Sequence, residues 1–286
     1  MNIIYILLLF FVGACSSSPK NPGEIYNLRK QAEGQLDEGN KTADRGSYEN
    51  ALILLNEAKR LAIIADDPGL RIRAGLSQAN VLFSLGQREE AAAGWQASLD
   101  EAENLGDREL IALSRIHIVR GKMLSAARPA DIAQSVRDEV NREIGALKDQ
   151  LNMAFAWTVI GFAEKELGRY GEAEAAVKRS LAIHEKDRYF EQAAYDWFFI
   201  ASIRSLAKNY EGARQALEAA ITLDRRIENS WGLAADWRAL GDIHAKAGKN
   251  EEARRAYLRS IEIFRSLGND DAAAETEQRM NGIDKE

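Results

Sequence analysis

The sequence predicts an all-α fold, a right-handed superhelical solenoid of about six helical hairpins with a period of about forty residues. Three observations predict it. Trp157, Trp197 and Trp237 stand forty residues apart, and self-similarity at such a period marks a repeat architecture. An alanine column runs in step with them through Ala51, Ala91, Ala133, Ala173, Ala213 and Ala253. Finally, the 286 residues include only four prolines, so helices meet few interruptions, and 46% hydrophobic with 29% charged residues is the balance of a folded soluble protein. The net charge of −6 and the absence of a basic block exclude a phosphate backbone as the natural partner, so no nucleic acid is expected.

Taken in chain order, the first element is an apolar run from Ile3 to Val12. It is too short to span a membrane as a helix, which takes about 20 residues, but it suits the apolar region of a secretory signal. Only Met1 and Asn2 precede it, so the α-amino group supplies the positive charge there. The run ends in Val12-Gly13-Ala14-Cys15, which resembles the lipobox of bacterial lipoproteins. The resemblance implies that residues 1–14 are a signal peptide and that Cys15 is lipidated and becomes the new N-terminus. Residues 15–24, rich in Ser, Pro and Gly, read as a flexible tether, and residues 25–286 as the solenoid. Cys15 is the sole cysteine, which excludes a disulfide framework or a multi-thiolate metal site.

Six units then run from residue 33 to 268. Twelve residues before each alanine stands a very small residue: Gly39, Ala79, Gly121, Gly161, Ala201 or Gly241. Seven residues after it comes Ala58, Ser98, Val140, Ser180, Ala220 or Ser260, and between them lie the bulky Leu55, Trp95, Val177, Leu217 and Tyr257, with Arg137 as the exception. This pattern fits two antiparallel helices, A and B, that approach closely at the small residues while large ones fill the space a turn away. Gly46, Gly86, Gly168 and Gly248 end the A helices, and Asp67, Asp107, Asp187 and Asn269 to Asp270 supply stop and N-cap signals between units. Unit three departs at Arg128-Pro129-Ala130-Asp131, and its second helix is expected over roughly residues 132–151. Asp270 to Met280 reads as a polar capping helix.

Trp237-x2-Leu240-Gly241-x2-His244 followed by Ala253, Tyr257 and Ser260 resembles the tetratricopeptide repeat, whose unit reads W-x2-L-G-x2-Y and then A-x3-F-x2-A. Trp157-x2-Ile160-Gly161 with Ala173, Val177 and Ser180 resembles it nearly as well, whereas Gln35, Gly75 and His117 stand at the Trp position of the first three units and Arg120 stands at a leucine position. The forty-residue period implies longer helices than the thirty-four-residue form, chiefly the second of each pair. The resemblance further implies a concave groove on the A helices that holds a partner protein or peptide, lined by Phe155, Phe162, Lys165, Tyr195, Phe198, Ser202, Arg238, Arg115 and Lys122. Aromatic anchors inside a basic rim suit an acidic partner segment. The competing reading places those aromatics in the core between helices.

No catalytic pattern accompanies the repeat. G-x-S-x-G, P-loop and dinucleotide fingerprints are absent, and His117, His184 and His244 fall in different units, so no enzyme activity, cofactor or metal is expected. The reading is therefore a membrane-tethered scaffold of the bacterial cell envelope, attached through the N-terminal lipid and accessory to a transport or assembly complex. A carrier of small ligands or lipids in a pocket of the curved stack, and a cytoplasmic regulatory repeat protein, are the alternatives.

Overall fold

The computed structural model describes residues 22–283, so Cys15, the signal peptide and most of the tether lie outside the described residues. Thirteen α-helices and no strand occur among them. They form six antiparallel pairs: α1 (Pro22–Asp44) with α2 (Tyr48–Ile64), α3 (Pro68–Ser84) with α4 (Arg88–Leu105), α5 (Arg108–Ser125) with α6 (Ala130–Glu143), α7 (Gln150–Glu166) with α8 (Tyr170–Asp187), α9 (Phe190–Leu206) with α10 (Tyr210–Arg226), and α11 (Ser230–Lys246) with α12 (Asn250–Ser266). Helix α13 (Asp270–Gly282) caps the last pair.

The small-residue column works as its chemistry dictates. All six column alanines have no exposed surface. A Cβ added at Gly39, Gly161 or Gly241 would lie 2.8, 2.5 or 2.6 Å from Leu55, Val177 or Tyr257, so only glycine lets each A helix meet its B helix there. In unit three the bulky residue is borrowed. A Cβ on Gly121 would meet the Trp95 ring of the preceding unit at 2.1 Å, which frees Arg137 to turn away and pair with the buried Glu164 at 2.5 Å.

Helix ends follow local chemistry. Gly46, Gly86, Gly168 and Gly248 adopt positive φ after their A helices, as the sequence leads one to expect. Asp67, Asp107 and Asn269 cap α3, α5 and α13 through side-chain acceptors. At the α8–α9 junction the left-handed position falls to Arg188 and the N-cap position to Tyr189, one and two residues beyond Asp187.

Two expectations need correction. Helix α6 ends at Glu143, well short of residue 151, because Ile144–Ala146 tighten into a 3-10 turn and Asp149 caps the start of α7. Glu109 holds that loop by accepting hydrogen bonds from the backbone N–H groups of Lys148 and Asp149 at 3.0 and 2.8 Å. The added length of the repeat is also shared: α9 to α12 are each 17 residues, with no bias to the second helix.

Successive A helices touch one another, α1 with α3, α3 with α5, α5 with α7, α9 with α11 and α11 with α13, while successive B helices share no comparable contact. The A helices therefore lie on the inside of the curve. The curvature is tight enough to bring distant units together: Arg45, just after α1, binds Glu191 at the start of α9 through Nε and Nη2 at 3.0 and 2.6 Å. Gln192 donates to Asp44 at 3.3 Å, and Gly46 packs against the Trp231 ring at the start of α11. This closure gives the A helices a common interior.

Candidate functional site: the inner wall of α5, α7 and α9

The rings and cations of the inner wall are arranged in two clusters. In the first, Phe155 of α7 stacks on His117 of α5 with centroids 4.4 Å apart, and Arg120 lies 5.8 Å from the same ring. Burial pushes His117 down to about 3, so it stays neutral, with Nδ1 3.2 Å from Asn80 Oδ1. In the second, Phe162 of α7 packs on Phe199 of α9 at 4.3 Å, and Lys165 sits over both rings at 5.1 and 5.9 Å. Tyr195 joins the two. It lies 6.4 Å from Phe199 by ring centroids and interacts electrostatically with Arg120.

Tyr195 is 47% exposed, yet burial by the surrounding protein pushes its phenol upward and holds the Arg120 guanidinium below its usual range. Asp44, exposed at the end of α1, is brought by the closure within electrostatic reach of Tyr195, and desolvation by the surrounding protein together with Glu191 raises its carboxyl.

Of the residues that the sequence points to, Phe155, Phe162, Lys165 and Tyr195 come together on this wall. Phe198 is half-buried and packs against the core shared by α8, α9 and α10, and Ser202 is half-buried on α9. Arg115 is tied to Glu143 and Glu103 at 3.0 and 3.2 Å, Arg238 to Glu275 at 3.1 Å, and Lys122 is exposed. Arg120, Phe199 and Asp44 escaped the sequence reading. Arg120 stands in a column with Glu38 and Gln78 in the first two units and Ile160, Ile200 and Leu240 in the last three, so its cation was visible in the sequence without being singled out. Asp44 had no signal, because a closure across the whole ribbon leaves no trace in a nearest-neighbour repeat.

The periodic tryptophans are structural. Arg179 covers Trp157 at 4.3 Å and Arg259 covers Trp237 at 4.5 Å, each within its own hairpin, and Trp197 donates to Glu185 at 3.3 Å. An open hollow of about 500 Å³ between α1 and α2 is lined by Gln35, Asn56, Glu57 and Arg60 besides Ile53 and Leu54. Among the described residues no His, Cys, Asp and Glu group could hold a metal ion.

Antiparallel helix pairs nested on small residues, with A helices lining the inside, define a helical-hairpin repeat solenoid. Residues 190–275, from α9 into α13, match the family model for the tetratricopeptide repeat, in the region where the sequence motif is best formed. A Rap protein complexed with competence and sporulation factor superposes with a TM-score of 0.58 at 17% identity, covering 89% of this chain and 75% of that one. BtubC from P. vanneervenii gives 0.53 at 17% identity over 83% of this chain and 92% of its own. A putative kinesin light chain with tetratricopeptide-like repeats from Podosopora anserina gives 0.53 at 15% identity, over 69% and 96%. At these identities the likeness establishes the fold. A comparison with curated proteins gives no significant match.

Proposed function

We propose that this chain is a scaffold, lipid-tethered in the bacterial cell envelope, that holds a segment of a partner protein or peptide against the inner wall of α5, α7 and α9. The observation that carries the binding reading is the alignment of Phe155, Phe162 and Tyr195 along one wall, backed by the buried Phe199, with Arg120 over the Phe155 ring and Lys165 over the Phe162 ring. Aromatic anchors beside cations are the groups that dominate interface energies. That the similar Rap protein was solved with a bound factor supports the same use of the fold. The tether rests on Cys15 after Val12-Gly13-Ala14. Among the described residues no helix is long and apolar enough to cross a membrane, so attachment falls to the lipid in this reading. An envelope transport or assembly complex is the setting that such an anchored scaffold serves.

Two measurements test it. Radiolabelled palmitate should enter the wild-type chain and not Cys15→Ala; equal labelling, or none in either, removes the tether. The double variant Phe155→Ala, Tyr195→Ala should keep its helical circular dichroism and lose partners captured from native envelopes. Retained capture with an intact fold would remove the inner wall from the function.

A further inference from the structure

We propose that the exposed pair Ile63 and Ile64, at the end of α2, seats the tethered end of the solenoid in the lipid surface through apolar contact; this rests on the lipid-tether reading above.

The pair stands out against its own repeat. Ile63 and Ile64 are each 54% exposed, side by side on the last turn of α2. In the other five units the same two positions hold Glu103-Asn104, Gly145-Ala146, Glu185-Lys186, Arg225-Arg226 and Arg265-Ser266, which are charged or polar in four units and small in the third. Two large aliphatic side chains left in water forfeit the burial that α2 achieves at Leu55, Leu61 and Ala62. Only unit one departs in this way, and unit one is the hairpin that the tether enters.

Chain length places the pair beside the membrane. Seven residue steps lead from Cys15 to Pro22, where α1 begins, and that many steps span at most about 25 Å. Because α1 and α2 run antiparallel, the end of α2 returns toward the start of α1. Arg29 of α1 pairs with Asp67, just past α2, at 3.5 Å, and Leu28 packs against the core that holds Leu61. Arg29 lies about 10 Å along α1 from Pro22, so Ile63 and Ile64 stay within about 35 Å of a lipidated Cys15 however the intervening residues run. Anchoring supplies the high local concentration that lets a contact of two side chains persist.

Charge does not direct this contact. Arg29 is paired with Asp67 and Arg60 with Glu57, and the exposed Asp66 offsets the exposed Lys30, so this end of the hairpin offers no excess cation to anionic headgroups. Apolar insertion remains, which isoleucine favours. Two other exposed aliphatic residues frame the claim. Ile53, 66% exposed, lies on α2 about 16 Å from Ile64, and Leu206, 46% exposed, ends α9 at the opposite edge of the stack. Neither stands beside the tether, so they separate a located contact from general adhesion.

The test uses the full chain with its own N-terminal sequence, purified from bacterial membranes and reconstituted into phosphatidylcholine vesicles. A lipidated Cys15 has no free thiol, so Ile63→Cys, Ile53→Cys and Leu206→Cys each offer a single site for an environment-sensitive fluorophore. With the label at position 63 we expect blue-shifted emission and loss of most of its intensity to spin-labelled lipid, unchanged when phosphatidylglycerol replaces part of the phosphatidylcholine. Adding Ile64→Ser should restore much of that intensity. Labels at 53 and 206 should keep the emission of a dye in water. No quenching at 63, quenching as strong at 53 or 206, or quenching that needs phosphatidylglycerol would overturn the seat and leave the tether in place. Labelling of the unsubstituted chain would mean a free Cys15, and the tether and the seat would fall together.

Discussion

On α5 and α7 the inner-wall cations Arg120 and Lys165 lie over the rings of Phe155 and Phe162. On α11 the wall is bound up with the capping helix: Arg238 pairs with Glu275, and Asp242 accepts from Tyr257 at 2.7 Å and from Arg279 at 2.8 Å. The two parts of the wall thus end in opposite states. Near the C-terminus the polar groups satisfy one another and close the stack, whereas in the middle Arg120 and the Tyr195 phenol have no ion-pair or hydrogen-bond partner among the described residues. Stability and binding should therefore separate along the ribbon.

The junctions between units repeat the contrast. His184 of α8 binds Asp196 of α9 at 2.7 Å, and forty residues on the same place holds Asp224 of α10 and Asp236 of α11, both buried. Burial, and then the neighbouring Asp224, push Asp236 up to about 9, while burial raises Asp224 to about 6 against a hydrogen bond from Asn229. Both folded values lie above those of an unfolded chain, so the contribution to stability is complete below about pH 4 and is lost as pH rises through 6 and on to 9. The largest expected effect follows. Relative to Asp236→Asn, the wild type should lose stability progressively, on the order of 1 kcal/mol per pH unit, as pH rises from about 6 toward 9, measured by urea denaturation. Parallel pH curves for the two proteins would show that no proton is held at this junction.

The next effect belongs to the middle of the ribbon. Phe155→Ala should weaken peptide binding by about 2 kcal/mol, as for an aromatic hot spot, read by titration calorimetry. Arg238→Met should do the reverse, lowering unfolding free energy by up to about 1 kcal/mol for a largely surface ion pair while leaving peptide affinity unchanged. The smallest effect on stability is expected from Arg45→Ala, whose pair with Glu191 is half-exposed on the arginine side: about 0.5 kcal/mol or less. Its signature is shape. Small-angle scattering should report a larger radius of gyration for this variant, and an unchanged radius would mean that the ribbon's curve is set by helix packing alone.

The repeat was legible because its cause is local. Gly161 against Val177 and Gly241 against Tyr257 are contacts within one hairpin, so the same spacing of small and large residues recurs in the sequence. Phe155, Phe162, Lys165 and Tyr195 could be placed on one wall for the same reason, since each sits at a fixed offset from a periodic tryptophan. What escaped has non-local causes. Trp95 filling the space beneath Gly121 released Arg137 to bind Glu164, an exchange across units that no single repeat displays. Arg115 and Arg238 occupy groove offsets but find carboxylates on neighbouring helices. The pairing of Arg45 with Glu191 depends on total curvature, which is a sum over every junction.

The most direct test of the central claim is photo-crosslinking from two positions of the same chain. A benzoylphenylalanine placed at Tyr195 faces the interior, and one placed at Leu258, 54% exposed on α12, faces outward. Library-selected peptides should form adducts from position 195 and none from 258. Adducts from 258, or equal yields from both, would contradict a partner held on the inner wall.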